Sequence, residues 1–389
     1  MASGSDSQGK ARSDARASAG AGRRIAIAAA LVLLLLGGAW IGLRRLVEGG
    51  GGEAPAPLVA DPSSRRSLPA GDVVGGTGPY GSHVWRGIPY AEPPVGERRW
   101  RAPVPAPRWS GTREALAHGS PCVQFASPFG GVEGAPGEVK GSEDCLVLDV
   151  YAPRFEPDAV PRGEERLPVM VWIHGGGNVV GHTRAYDGGA LAARENVVVV
   201  TVHYRLGPFG WFRHASLREA DASPAERSGN FGTLDLVRAL EWVRDNVSAF
   251  GGDPERVTIF GESAGGSNVY TLLLAPQAAG LFHRAIVQSG GIRYTDAEHA
   301  ENWRDDPTPG HPRSSNEIVA RLLVAAGRAR DRAEAKALVA GMAPDELARF
   351  LRERSAEEVM AAYAEDRGED EALLEMPRLF GDGAVLPAG

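Results

Sequence analysis

Apolar residues along this chain gather in a few short continuous runs. Pro168 to Ile173 (PVMVWI), Val197 to Val202 (VVVVTV), Val257 to Phe260 (VTIF) and Ala285 to Val287 (AIV) are rich in β-branched side chains and do not alternate. Such runs suit strands covered on both faces, as in a parallel sheet. Between the second and third, Leu236, Leu240, Val243, Val247 and Phe250 recur at steps of four, three, four and three. That is the stripe of a helix, and Gly251-Gly252 would end it. Strand, helix, strand predicts a βαβ unit with a right-handed crossover. The fold class is therefore α/β, with active groups at the C-terminal ends of strands. Glu317 to Ala326 and Pro344 to Arg354 read as packing helices rather than as a cap over a site. No internal repeat is visible.

A longer apolar run, Ile25 to Leu43, carries no charge. At about 1.5 Å per residue it spans roughly 28 Å, close to the hydrocarbon thickness of a bilayer. Arg23-Arg24 and Arg44-Arg45 flank it, and Lys10, Arg12 and Arg16 make the N-terminal side the more basic one. The positive-inside rule then predicts a basic cytoplasmic lead (1–24), a transmembrane signal-anchor (25–43), a Gly- and Pro-rich flexible linker (44–70) and a folded domain (71–389) outside the cytoplasm, periplasmic or extracellular. The rival is a cleaved signal peptide, with Gly37-Gly38-Ala39 as its cleavage site and a secreted product. Export bears on the only two cysteines, Cys122 and Cys145. Outside the cytosol they would form a disulfide; otherwise they are two buried thiols.

Charge narrows the partners. The 389 residues hold 42 basic and 49 acidic side chains, a balance of −7. Residues 1–70 hold nine and five, so residues 71–389 hold 42 − 9 = 33 and 49 − 5 = 44, a balance of −11. A domain that acidic repels phosphate backbones, so nucleic acid is not an expected partner. No cofactor is predicted, and no metal site.

The candidate chemistry sits at two strand ends. After VTIF comes Gly261-Glu262-Ser263-Ala264-Gly265, then a helical stretch: G-x-S-x-G between a strand and a helix. A strand turning directly into a helix leaves the turn residue strained and its side chain exposed, and glycines on either side allow close approach. The competing reading is a glycine-rich turn with a capping serine. His174-Gly175-Gly176-Gly177 follows the first strand, where glycines turn amides toward an oxygen that becomes negative in a transition state. His174 itself reads as structural.

These segments resemble the type-B carboxylesterase family, the cholinesterase-like α/β-hydrolases. The resemblance is carried by WRGIPYAEPPVGERRWRAPVP (85–105), SEDCLVLDVYAP (142–153), VMVWIHGGGNVVG (169–181), VVVVTVHYRLGPFGW (197–211), GNFGTLDLVRALEWVRDNVSAFGGDPERVTIFGESAGG (229–266) and LFHRAIVQSGG (281–291). It implies an α/β-hydrolase fold with a mostly parallel central sheet. Ser263 is then the nucleophile, and Gly176, Gly177 and Ala264 are the oxyanion donors. Glu262 and Ser289 match supporting polar positions, and Cys122 pairs with Cys145.

The family's acid lies beyond a segment like Asp382 to Pro387 (DGAVLP), and its histidine further on. Neither the triad acid nor its His is expected in this chain, and the sheet is expected to be incomplete at its C-terminal end. His299 and His311 read as solvated loop residues, His203 as a packing residue, and Asp296 and Asp382 have no claim as the acid. The expected function is hydrolysis of a small-molecule carboxylic ester through a serine acyl-enzyme, by an N-terminal fragment. The alternative is a non-catalytic cholinesterase-like binding module or an inert truncation product. Pro121 to Cys145 contains no Trp, only Phe125 and Phe129, which argues against a choline ester and for a neutral one.

Overall fold

The computed structural model describes residues 57–218, 222–368 and 373–388. Seven strands form one sheet: β1 (Gly76–Thr77), β2 (His83–Pro89), β3 (Val147–Ala152), β4 (Leu167–Ile173), β5 (Val198–Val202), β6 (Gly252–Glu262) and β7 (Arg284–Gln288). Their spatial order is β7-β6-β4-β5-β3-β2-β1. The four apolar runs are β4 to β7, and these make the three parallel pairings. The other three pairings are antiparallel, so the sheet is mixed rather than mostly parallel. Polar residues inside β2 and β3 hid these strands from the pattern of apolar runs. Arg86-Gly87 sits at a register shift between Trp85 and Ile88, and the Gly87 amide donates to the Asp149 carboxylate of β3 at 2.8 Å. The aspartate thus satisfies an amide that a bulge would leave unpaired.

Register decides where the chemistry emerges. Ile173 of β4 pairs with Val202 of β5 and with Gly261 of β6, so three C-terminal ends finish at one level. Helix α1 (Phe231–Asn246) covers the sheet through the expected stripe, all of it buried. Its last turn tightens into a 3₁₀ turn (Val247–Phe250), and Gly251, at φ 85°, ends it. Phe250 meets Trp85 edge-on at 4.7 Å, tying the helix stripe to the antiparallel part of the sheet. Helix α2 (Ala264–Leu274) follows β6. The outer strand β7 is largely exposed, with Ile286 at 44%, and Leu273 of α2 is exposed at 51%.

After a short helix (Ala297–Glu301), four further helices follow: α3 (Ser315–Ala325), α4 (Arg332–Gly341), α5 (Pro344–Arg352) and α6 (Ala356–Ala364). Buried Glu317 of α3 accepts two hydrogen bonds from Arg332 at 2.7 and 2.6 Å, pinning α4 to α3. Arg99 is paired with Glu143 and donates to the carbonyl of Arg352 at 3.3 Å, fixing the end of α5. These helices pack, as expected.

Of the expected linker (44–70), residues 44–56 lie outside the described residues, and the rest needs correction. Residues 57–70 belong to the fold: Arg66–Leu68 pairs with Gly71–Val74, and the Trp85 indole donates to the carbonyl of buried Ser64 at 2.8 Å. The Pro- and Ser-rich composition concealed a short 3₁₀ turn (Pro62–Ser64) capped by Asp61. Hydrogen bonds from Ser63 and Thr77 hold that carboxyl well below the usual range. The basic lead (1–24) and the membrane segment (25–43) lie outside the described residues. No described helix is long and apolar enough to cross a membrane.

Candidate active site

Ser263 stands alone between β6 and α2, at φ 54° and ψ −118°. A non-glycine residue there is strained, and strain of this kind persists only where the surroundings dictate it. Two contacts hold it. Its amide donates to the Gln288 carbonyl of β7 at 2.9 Å, and its carbonyl accepts the Ser267 amide at 3.0 Å to start the helix. Its hydroxyl does not cap the helix, which removes the capping-serine reading. The side chain is exposed, and no described acid or histidine hydrogen-bonds to it. Gly265 makes the sharp turn possible: a Cβ there would lie 2.0 Å from the Ile173 carbonyl oxygen of β4.

Because Ile173 and Gly261 are in register, the glycine loop leaves β4 beside this turn. Gly176, Gly177 and Asn178 have φ of 93°, 64° and 61°, three successive left-handed residues that glycine at the first two makes accessible. The Gly176 carbonyl accepts the amides of Val179 (3.1 Å) and Val180 (3.0 Å), which closes the loop tightly. Among the described residues, the amides of Gly176 and Gly177 have no acceptor, nor has that of Ala264 at the helix start. His174 is structural. It is buried and stacked on Tyr204 at 4.6 Å, and burial pushes its pKa down to about 3, so the ring is neutral.

Asn178 was not singled out in the sequence, yet it joins loop to helix. Its side-chain oxygen accepts from the Asn268 amide of α2 at 2.8 Å and from the Tyr204 hydroxyl at 3.2 Å. Tyr204 also donates to the His174 carbonyl at 2.7 Å. Both asparagines are buried, so each amide depends on these partners. Two asparagines close after the motifs, Asn178 directly and Asn268 three residues on, each followed by an apolar residue, are the signal that could have revealed the pair.

A cavity of about 580 Å³ is lined by Ser263, Ala264, Gly177 and Ser289, the last also strained at φ 51°. Gly176 and Glu262 lie outside that lining, although the Glu262 carboxylate approaches Gly175. Arg293, His299, His311, Glu375 and Arg378 also line the cavity. The two histidines, expected to be solvated loop residues, thus share the cavity with Ser263, their rings meeting edge-on at 5.4 Å. None of α3 to α6 lines it.

Asp382 accepts the amides of Ala384, Val385 and Leu386 and the Asn230 side chain, a structural task. Asp296 precedes a short helix, away from the cavity lining. His203 is buried and accepts the Thr183 amide at 2.8 Å, as a packing residue would. Cys122 and Cys145 form a disulfide, both buried.

Residues 63–388 match the profile of the Carboxylesterase family. The chain is similar to para-nitrobenzyl esterase of Bacillus subtilis (strain 168), 47% identical over 230 residues, which cover 58% of this chain and 44% of the relative. It is similar to human cocaine esterase, 37% identical over 329 residues, covering 81% of this chain and 50% of the relative. A solved structure of PNB esterase superposes with a TM-score of 0.61 at 36% identity, over 84% of this chain and 59% of that one. The chain spans about half or less of the length of these curated relatives.

Proposed function

Because the chain belongs to the carboxylesterase family, we propose that it acts on small-molecule carboxylic esters through an acyl-enzyme on Ser263. One observation carries the proposal: a strained, exposed serine shares a cavity with Gly177 and Ala264, whose amides have no acceptor among the described residues. The Ser263 oxygen attacks the ester carbonyl carbon as its proton passes to solvent water. The carbonyl oxygen becomes negative and is held by the amides of Gly176, Gly177 and Ala264. Collapse expels the alkoxide, which takes a proton from water and leaves as the alcohol; a second water then attacks the acyl carbon, releases the acid and returns a proton to the serine. Glu262 and Ser289 support the turn without touching the reacting atoms. No acid or histidine of this chain is assigned to a triad. The rate proposed for these residues alone is that of a nucleophile and oxyanion site without a base, far below a complete triad.

The test is a short-chain chromogenic ester. A burst that disappears in Ser263→Ala supports the proposal, and equal background in both removes it. The free hydroxyl favours one second reading, a non-catalytic cholinesterase-like binding module, which that equal background would support. We further propose that the domain works outside the cytoplasm, tethered through residues 25–43. The Cys122–Cys145 disulfide supports export. Resistance of the domain to external protease in intact cells would refute it.

A further inference from the structure

Resting on the hydrolase reading above, we propose that the cavity beside Ser263 selects esters that carry a carboxylate, which Arg378 and Arg293 bind. The domain as a whole is acidic, yet this cavity has two guanidiniums against one carboxylate, that of Glu375. Glu375 is exposed, and its charge acts on Arg378 and opposes the effect of burial there.

Arg378 is the unusual group. Its guanidinium is half-buried, and its one side-chain hydrogen bond among the described residues runs to the Met376 carbonyl at 3.4 Å. Burial lowers its pKa from the ordinary value. By contrast, Arg205, also buried, meets Asp235 at 2.8 and 2.7 Å and the Arg101 carbonyl at 2.9 Å. No described carboxylate hydrogen-bonds this half-buried cation, and a carboxylate from a ligand would offset more of the cost of burying it than exposed Glu375 does. The guanidinium fork also matches two carboxylate oxygens in geometry.

The cavity wall is held in place. Thr295 donates from its hydroxyl to the Arg378 carbonyl at 2.8 Å and from its amide to the Leu379 carbonyl at 3.0 Å. Leu379 is strained, at φ 54°. This short ladder fixes Arg378 against the segment that carries Arg293. The hydroxyl of Tyr294, on the same wall, is buried without a partner and is a further unused donor. The neutral ester expected from the sequence rested on a missing tryptophan and took no account of these cations.

The carboxylate could belong to the acyl group or to the leaving group, and two substrate pairs separate them. One pair is p-nitrophenyl valerate with mono-p-nitrophenyl glutarate; the other is phenyl acetate with 4-carboxyphenyl acetate. In one pair, Arg378→Met is expected to lower the anionic-to-neutral ratio of kcat/KM by about tenfold, the size of one lost charge-assisted contact. Arg378→Lys should keep most of that ratio, and Arg293→Glu should lower it even if Arg378→Met fails to fold. Turnover of the neutral esters with both ratios unmoved by every variant overturns the inference and leaves the hydrolase reading standing. If the chain turns over neither ester, the hydrolase reading falls, and calorimetric titration of Ser263→Ala with monomethyl and dimethyl glutarate decides the inference. Tighter binding of the monoanion, lost on adding Arg378→Met or Arg293→Glu, supports it; equal binding of the two overturns it.

Discussion

Gly265→Ala sets two physical effects against each other. Gly265 lies in the first turn of α2, and alanine there favours the helix by about 1 kcal/mol. Sterics oppose this. The added Cβ would sit 2.0 Å from the Ile173 carbonyl oxygen and 2.9 Å from that of His174, against a floor of 3.0 Å for real contacts. Relief requires a shift of 3.0 − 2.0, about 1 Å, and both obstacles are backbone that cannot rotate away. Overpacking of this kind costs typically 1–3 kcal/mol, so sterics should win and the melting temperature should fall by a few degrees. The same shift carries Ser263 and the Ala264 amide away from the glycine loop. Misplacing reacting groups by about 1 Å costs on the order of 10²-fold in rate, so the acylation burst should slow by about that factor. Gly341→Ala is the control, since it adds the same methyl to a helix with nothing within 4 Å. It should leave the burst alone and keep or raise stability. Scanning calorimetry and stopped-flow burst rates read both variants. A Gly265→Ala chain as stable and as fast as its parent would refute the steric account of this turn.

Three other expectations follow from the packing. Leu240→Ala, in the buried stripe of α1, should cost about 2–5 kcal/mol in urea unfolding while the burst per folded molecule stays the same; a loss under 1 kcal/mol would show that the stripe does not carry the core. Asn268→Leu leaves the buried Asn178 amide short of a partner, which should cost about 1–3 kcal/mol and slow acylation more than it weakens substrate binding; no change in either would show that the asparagine pair holds nothing. Burial depresses the pKa of His174 to about 3 and of His203 and His214 to about 4, against an ordinary value of 6.5. The unfolded chain therefore takes up these protons first. Stability should be level above about pH 7 and fall as pH drops from about 6.5 toward 4, before most carboxylates titrate; a level melting temperature down to about pH 5 would contradict this.

The parallel strands were legible because burial on both faces removes alternation, so β4 to β7 stand out as apolar runs. β2 and β3 did not, because Arg86, Gly87 and Asp149 interrupt them for a reason internal to the sheet: an aspartate satisfying a bulge amide. The Ser263 turn and the glycine loop were legible because their physics is local, set by neighbours in sequence. The rest of the cavity lining was not. It is assembled by Thr295 bonding to residues more than eighty positions away, so the stretch from 292 to 312 reads as a solvated loop although His299 and His311 line the cavity. The Asn178–Asn268 bridge spans ninety positions and follows no spacing rule.

The amide of Ser263 hangs on Gln288, and Gln288 belongs to the most exposed strand of the sheet. The proposed nucleophile is thus braced against the molecule's least sheltered border. An open border of this kind invites a foreign strand to add itself. Any such addition that tugs β7 out of line would unseat the serine directly, so concentrated samples would lose turnover before their helices begin to melt.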